Sequence, residues 1–93
     1  FNNLNIIVLP EFFEGIKYMC GIIGIIGKEN VSSNLFKGLE CLEYRGYDSS
    51  GIATINEGKF FLKKAEGKLF NLSRELEKSS LPGSIGIAHT RWA

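Results

Sequence analysis

The sequence predicts a mixed α+β fold, and three observations support that prediction. An apolar run of isoleucine and glycine at 20–27 is typical of a β-strand buried on both faces. Two segments, 30–44 and 68–79, carry apolar residues at the three- and four-residue spacing of amphipathic helices. Between them, 52–64 has the pattern of a β-hairpin. With a short apolar strand at 84–88, the predicted order is strand, helix, hairpin, helix, strand.

The first predicted helix begins at a residue that can cap it, either Asn30 or Ser32. Its apolar stripe consists of Val31, Leu35, Leu39 and Leu42, widened by Phe36. Cys41 lies beside this stripe, and we interpret it as a small core residue.

The hairpin turns at Asn56-Glu57-Gly58, a short glycine-containing loop between two apolar runs. The second helix directs Leu69, Leu72 and Leu76 inward and its charges outward, and Leu81-Pro82-Gly83 ends it.

Composition excludes several classes of partner. The 93 residues carry a net charge of +1 with acids and bases interspersed, which does not indicate a nucleic-acid partner. No apolar run approaches the roughly 18 residues that a membrane span needs. The residues before Cys20 do not resemble a signal peptide, and the two cysteines are expected to stay reduced, so we predict a cytoplasmic protein. One histidine and two cysteines without ligand-like spacing predict no metal site.

The Met19-Cys20 dipeptide contains the strongest candidate for a catalytic residue in this sequence. If translation starts at Met19 and that methionine is removed, Cys20 carries a thiol and a free α-amine, and the amine can act as the base that activates the thiol. The ordinary pKa of such an amine, about 7.7–8.0, suits proton transfer near neutral pH. Residues 1–19 would then be an upstream extension or propeptide, and 20–93 the domain. A buried structural thiol is the alternative for Cys20.

A polar loop follows the first helix. In 43–51, Arg45 and Asp48 either fix each other and brace a neighbouring site or belong to a solvated turn. These two interpretations stay open.

The predicted strand at 84–88 leads into His89-Thr90-Arg91-Trp92. The Arg91 guanidinium can bind a small carboxylate through two hydrogen bonds, and the Trp92 indole can cover the site. The alternative is a surface arginine beside a partly buried tryptophan. His89 is interpreted as structural.

Three stretches together resemble a known family: 19–24, 42–53 with Tyr44-Arg45-Gly46-Tyr47-Asp48, and 86–93 with His89-Thr90-Arg91-Trp92-Ala93. They are similar to the start of glutamine–fructose-6-phosphate aminotransferases (isomerizing), also called glucosamine-6-phosphate synthases. Other class II amidotransferases, of the amidophosphoribosyltransferase or asparagine synthetase type, share the cysteine and an Arg-Gly-x-Asp turn and remain an alternative. The second alternative is a protein that is not an enzyme, either a truncated gene product or a small α/β binding module.

The resemblance implies a glutamine amidotransferase domain of the N-terminal nucleophile (Ntn) hydrolase fold, an αββα sandwich of which this chain is an incomplete N-terminal part. It implies that Cys20 attacks the side-chain amide of L-glutamine and forms a thioester while its own amine relays protons. Ammonia would pass to an isomerase domain that converts fructose 6-phosphate into glucosamine 6-phosphate. No cofactor is implied, and the full-length protein is expected to be a homodimer.

The resemblance also implies roles for individual residues. Arg91 matches the residue that binds the glutamine α-carboxylate, and Trp92 matches an aromatic that closes the site and gates the ammonia path. Arg45, Tyr47 and Asp48 match a loop near the nucleophile, with individual roles left open.

Family members continue with Thr-His-Gly, an Asn-Gly oxyanion hole and an acidic residue for the substrate amine, none of which is in this sequence. Loss of one oxyanion donor alone costs about 10²–10³ in rate. We therefore expect the 93 residues to be inactive alone.

Overall fold

The computed structural model describes residues 5–12, 19–42 and 49–91 of the chain. Its elements in chain order are β1 (Asn5–Phe12), β2 (Met19–Ile26), α1 (Ser32–Leu42), β3 (Ser49–Asn56), β4 (Lys59–Glu66), α2 (Leu69–Lys78) and β5 (Ile85–Arg91). From β2 onward this is the predicted order of strand, helix, hairpin, helix and strand, and the α+β class is confirmed. The strand β1, within the stretch interpreted as an upstream extension, was not predicted.

The strands form one sheet with the order β1-β2-β5-β3-β4, and every neighbouring pair is antiparallel. β5 lies between β2 and β3, so that Thr90 pairs with Gly21 on one side and with Ser50 on the other. The central position in the sheet therefore belongs to the strand that comes last in the described sequence.

Both helices lie on one face of the sheet, which we call the helix-covered face. α1 packs over β5, β2 and β3, and α2 packs over β4 and β3. The core between the helices and the sheet is formed by Ile23, Ile25, Val31, Leu35, Leu39, Ile52, Leu69, Leu72, Leu81 and Ala88. The predicted inward residues of the two helices supply half of this core, since Val31, Leu35, Leu39, Leu69 and Leu72 are all buried.

The opposite face of the sheet, which we call the open face, is uncovered in the described part of the chain. Its exposed large side chains are Ile22, Ile26, Ile55, Phe60, Leu62, Ile85 and Ile87. β2 was expected to be buried on both faces, and this is wrong: Ile23 and Ile25 are buried whereas Ile22 and Ile26 are about half exposed. The reason is that α1 covers only one face of β2. A single sheet with one helical layer is compatible with part of an αββα sandwich.

Close contact between α1 and the sheet depends on the small residues of β5. A Cβ atom on Gly86 would lie 2.8 Å from Leu35 Cδ1 and 2.8 Å from the Ala53 carbonyl oxygen. Leu35 therefore rests almost on the backbone of the central strand. Cys41 was expected in the core, and it is exposed instead because it lies on the outer side of α1.

The connection from α2 to β5 is tied to the start of α1 by backbone and side-chain hydrogen bonds. Asn30, one of the two residues expected to cap α1, accepts the Gly83 N–H with its Oδ1 at 2.9 Å, while the Val31 N–H donates to the Gly83 carbonyl. Thr54 Oγ1 donates to the Pro82 carbonyl at 2.6 Å. Gly83 has a φ of 125°, and a side chain there would meet the Ile55 carbonyl, so this crossing requires glycine.

One end of the open face is polar. His89 lies beside Gly51, where a Cβ atom would come within 2.9 Å of His89 Nε2, so the absence of a side chain makes room for the imidazole. Burial lowers the pKa of His89, and the positive charge of Lys64 lowers it further. The folded state therefore favours neutral His89.

We expect Leu35→Ala to destabilise the chain by about 2–5 kcal/mol, because it removes a fully buried side chain that packs on Gly86. Lys37→Ala on the exposed side of α1 is the matched control and should change stability by less than about 0.5 kcal/mol. Urea unfolding followed by circular dichroism measures both. Equal effects of the two substitutions would contradict the described packing of α1.

His89 should make the stability of the chain depend on pH in the acid range. Its pKa in the folded state lies below the unfolded value of about 6.5, so the unfolded state binds more protons as pH falls. The contribution of His89 to stability is fully present above its pKa in the unfolded state. It is lost as the pH falls toward and through its pKa in the folded state. Urea midpoints between pH 8 and pH 5 measure this, and His89→Gln should lose the part of the slope due to His89. An unchanged slope in that variant would show that other groups cause it.

Candidate active site

Cys20 and Arg91 lie at the same end of the sheet, on neighbouring strands. Cys20 is the second residue of β2 and Arg91 is the last residue of β5. Gly21 pairs with Thr90, so one further step along both antiparallel strands leads to Cys20 and Arg91. Neighbouring strands are about 4.7–4.9 Å apart, which makes the two backbone positions adjacent. The fold thus brings together two residues that are 71 positions apart in the chain.

Arg91 borders an open cavity of about 510 Å³ at this end of the sheet. The lining residues are Ser49, Lys64, Ala65, Glu66 and Arg91. The strand order explains this set, because Ser49 pairs with Arg91 on one side and with Glu66 on the other. The cavity therefore has two cationic side chains and one carboxylate on its wall.

The side chain of Arg91 is exposed, and it makes no ion pair within the described residues. Its guanidinium is therefore available for an anionic ligand. A carboxylate that approaches the cavity would meet the planar donor geometry of Arg91 and the additional positive charge of Lys64.

Two buried hydroxyl residues lie beneath this end, on the helix-covered face. Ser50 is fully buried, and among the described residues its hydroxyl has no hydrogen-bond partner. Thr90 pairs with it across the β3–β5 ladder and is also buried. Sequence reasoning did not select Lys64 or Glu66, because their place at the cavity depends on strand order rather than on a local motif.

His89 lies one residue before the buried Thr90, and its imidazole occupies the space above Gly51. Because its pKa is lowered by burial and by Lys64, a neutral ring is favoured. No hydrogen bond of this ring is found in the described part of the molecule. The interpretation of His89 as a structural residue stays a prediction.

The other predicted site residues, Arg45, Tyr47, Asp48 and Trp92, lie outside the described residues. For Cys20, the structure describes the position of the backbone in β2. Within 5–12, 19–42 and 49–91, no group of three or more histidine, cysteine, aspartate or glutamate side chains could hold a metal ion. Neither described helix is long and apolar enough to cross a membrane.

Comparison with curated proteins gives strong matches over 75 residues, or 81% of this chain. The chain is 65% identical to the glutamine–fructose-6-phosphate aminotransferase [isomerizing] of Zymomonas mobilis, 61% to that of Bartonella quintana and 56% to that of Agrobacterium fabrum. The matched length equals the number of residues from Met19 to Ala93. In each case the match spans 12% of the relative, so the chain corresponds to about an eighth of their length.

No model of a protein family matches the chain. The names of these relatives favour the sugar-phosphate enzymes over the amidophosphoribosyltransferase and asparagine synthetase alternatives. Over these 75 residues the chain is similar to one part of the glutamine–fructose-6-phosphate aminotransferases [isomerizing].

Proposed function

We propose that Cys20 is the nucleophile of a glutaminase site and that Arg91 binds the α-carboxylate of L-glutamine. The observation that carries this proposal is the adjacency of Cys20 and Arg91 on β2 and β5. It is supported by the identity of 56–65% to proteins that bear the aminotransferase name. The site would belong to the full-length protein, with Cys20 as its first residue.

The proposed reaction follows from a cysteine that has a free α-amine. The amine accepts the thiol proton, and the sulfur forms a bond to the amide carbon of the glutamine side chain. The C–N bond then breaks, and the nitrogen leaves as ammonia after it takes the proton from the α-amine. Water hydrolyses the resulting thioester to glutamate and restores the thiol. Each turnover consumes one glutamine and one water.

Substrate orientation in this proposal depends on charge. The Arg91 guanidinium offers two parallel N–H donors to the α-carboxylate, and Lys64 on the cavity wall adds positive charge. Fixing the carboxylate at one strand end leaves the side-chain amide free to reach the neighbouring strand, where Cys20 lies. The proposed rate acceleration comes from holding the side-chain amide in the correct orientation next to the nucleophile.

The remaining parts of the proposal rest on the resemblance. Ammonia would be used to convert fructose 6-phosphate into glucosamine 6-phosphate in an isomerase domain, in a cytoplasmic homodimer. Trp92 would close the glutamine site, and Arg45, Tyr47 and Asp48 would organise the loop beside the nucleophile. The first 19 residues would be absent from the mature enzyme, and the 93 residues alone would not hydrolyse glutamine.

We predict that Cys20→Ala abolishes glutamine hydrolysis in the full-length protein that begins at Cys20. It should also abolish covalent labelling by an electrophilic glutamine analogue, which intact-mass spectrometry detects. Cys41→Ala is the matched control, since Cys41 is a free and exposed cysteine on α1, and it should leave both activities unchanged. Labelling that persists in Cys20→Ala, or that glutamine does not block, would refute the role of Cys20.

We predict that Arg91→Ala raises the KM for glutamine by about 10- to 100-fold, the range expected for losing a charge-assisted double hydrogen bond. Arg91→Lys should recover only part of the loss, because an ammonium group cannot reproduce the two parallel donors. Lys59→Ala, an exposed lysine at the other end of β4, is the control for charge alone. A KM that is unchanged in Arg91→Ala, measured by glutamate release, would refute carboxylate binding by Arg91.

A further inference from the structure

The segment upstream of Met19 contains a strand that runs along the whole of β2. Asn5–Phe12 pairs with Met19–Ile26 over eight residue positions, from Asn5 opposite Ile26 to Phe12 opposite Met19. β1 therefore occupies the edge of β2 that faces away from β5.

Within the described residues, the first two positions of β2 are paired through β1. The β2–β5 register begins at Gly21, whereas β1 pairs Phe12 with Met19 and Glu11 with Cys20. The backbone on both sides of the Met19–Cys20 bond is thus held in the sheet by β1.

The direction of the backbone hydrogen bonds shows which neighbouring strand the Cys20 N–H faces. The Gly27 N–H donates to the Ser84 carbonyl at 2.7 Å, in continuation of the β2–β5 register. Because backbone groups of successive residues in a strand point to opposite sides, the odd-numbered residues of β2 face β5 and the even-numbered residues face β1. The N–H of Cys20, which must become a free amine in the proposed enzyme, is therefore directed toward Glu11.

Pro10 gives independent support for this alternation. Proline is tolerated in an edge strand where its nitrogen faces away from the partner strand. Pro10 pairs with Gly21, an odd-numbered residue whose backbone groups face β5, so the Pro10 nitrogen is not needed for pairing with β2.

We propose that β1 is an inhibitory strand: it holds the Met19–Cys20 bond in a paired β-ladder and must leave β2 before an endopeptidase can cut that bond. Peptide bonds in paired strands are poor protease substrates, since cleavage follows the population of the opened state. The strand would control when the chain acquires a cysteine with a free α-amine. The functional part of this inference rests on the proposed role of Cys20.

The test uses the full-length protein with the residues upstream of Cys20 retained, and with Met19→Arg added so that an arginine-specific protease can cut before Cys20. Leu9→Pro removes an N–H that faces Ile22 of β2, and Val8→Pro, one residue away, removes an N–H that faces away from β2. Mass spectrometry quantifies the product that begins with Cys20. We expect cleavage to be at least about fivefold faster with Leu9→Pro, from the loss of a ladder hydrogen bond, and within about twofold of the parent with Val8→Pro.

Hydrogen exchange followed by mass spectrometry gives a second readout in the same proteins. Peptides from β2 should exchange faster in Leu9→Pro only, while peptides from β3 and β4 should stay unchanged, which shows that the fold is intact. Equal cleavage and exchange in Leu9→Pro, Val8→Pro and the parent would overturn the inference. Glutamine hydrolysis after release of Cys20 is measured separately: inactive product with faster cleavage in Leu9→Pro refutes the role of Cys20 and leaves the inhibitory strand supported.

Discussion

The two antiparallel ladders of β5 are the interaction on which the rest of this structure depends. β5 pairs with β2 along one side and with β3 along the other, and so joins two pieces of chain that have no direct pairing with each other. The β1–β2 pair and the β3–β4 hairpin are otherwise separate two-stranded units, which are marginally stable in water by themselves. With β5 between them, they become a five-stranded sheet with one continuous face for the helices.

The side chains of β5 explain how α1 can cover this junction. On the helix-covered face the strand presents Gly86, Ala88 and Thr90, which are small and buried. The larger residues of that layer, Ile23 and Ile52, come from the strands on either side and pair with Ala88. Small residues in the centre with large ones beside them form a shallow groove. Packing in that groove holds the strand whose end carries Arg91.

Local sequence patterns predicted the elements better than their surroundings. Apolar spacing located both helices to within two residues, and Asn56-Glu57-Gly58 located the hairpin, because these signals depend on neighbours a few residues apart. The burial of β2 was predicted wrongly, since a run rich in isoleucine has the same composition whether one face or both are covered. β1 was missed because Asn5 and Pro10 interrupt its apolar run, although proline is acceptable at a sheet edge.

The candidate site shows the same division. Cys20 and Arg91 were selected from chemistry and motif resemblance, but their adjacency follows from the β2–β5 register, which no local pattern contains. Lys64 and Glu66 lie at the cavity only because β4 is next to β3, and β3 is next to β5. Long-range pairing of this kind is chosen by the total burial of the sheet rather than by the residues at the site.

The central place of β5 has a consequence for the order of assembly during synthesis on the ribosome. The β1–β2 and β3–β4 units need only local contacts, and hairpins of this kind form in about 1–10 μs. The five-stranded sheet cannot form until β5 has emerged from the ribosome, because the two units are joined only through their pairing with β5. Until then, one edge of β2 and one edge of β3 present unpaired backbone groups, which are the typical templates for association with other chains. The nascent chain therefore passes through a stage in which the β1–β2 and β3–β4 pairs have formed but the central strand β5 has not yet joined them.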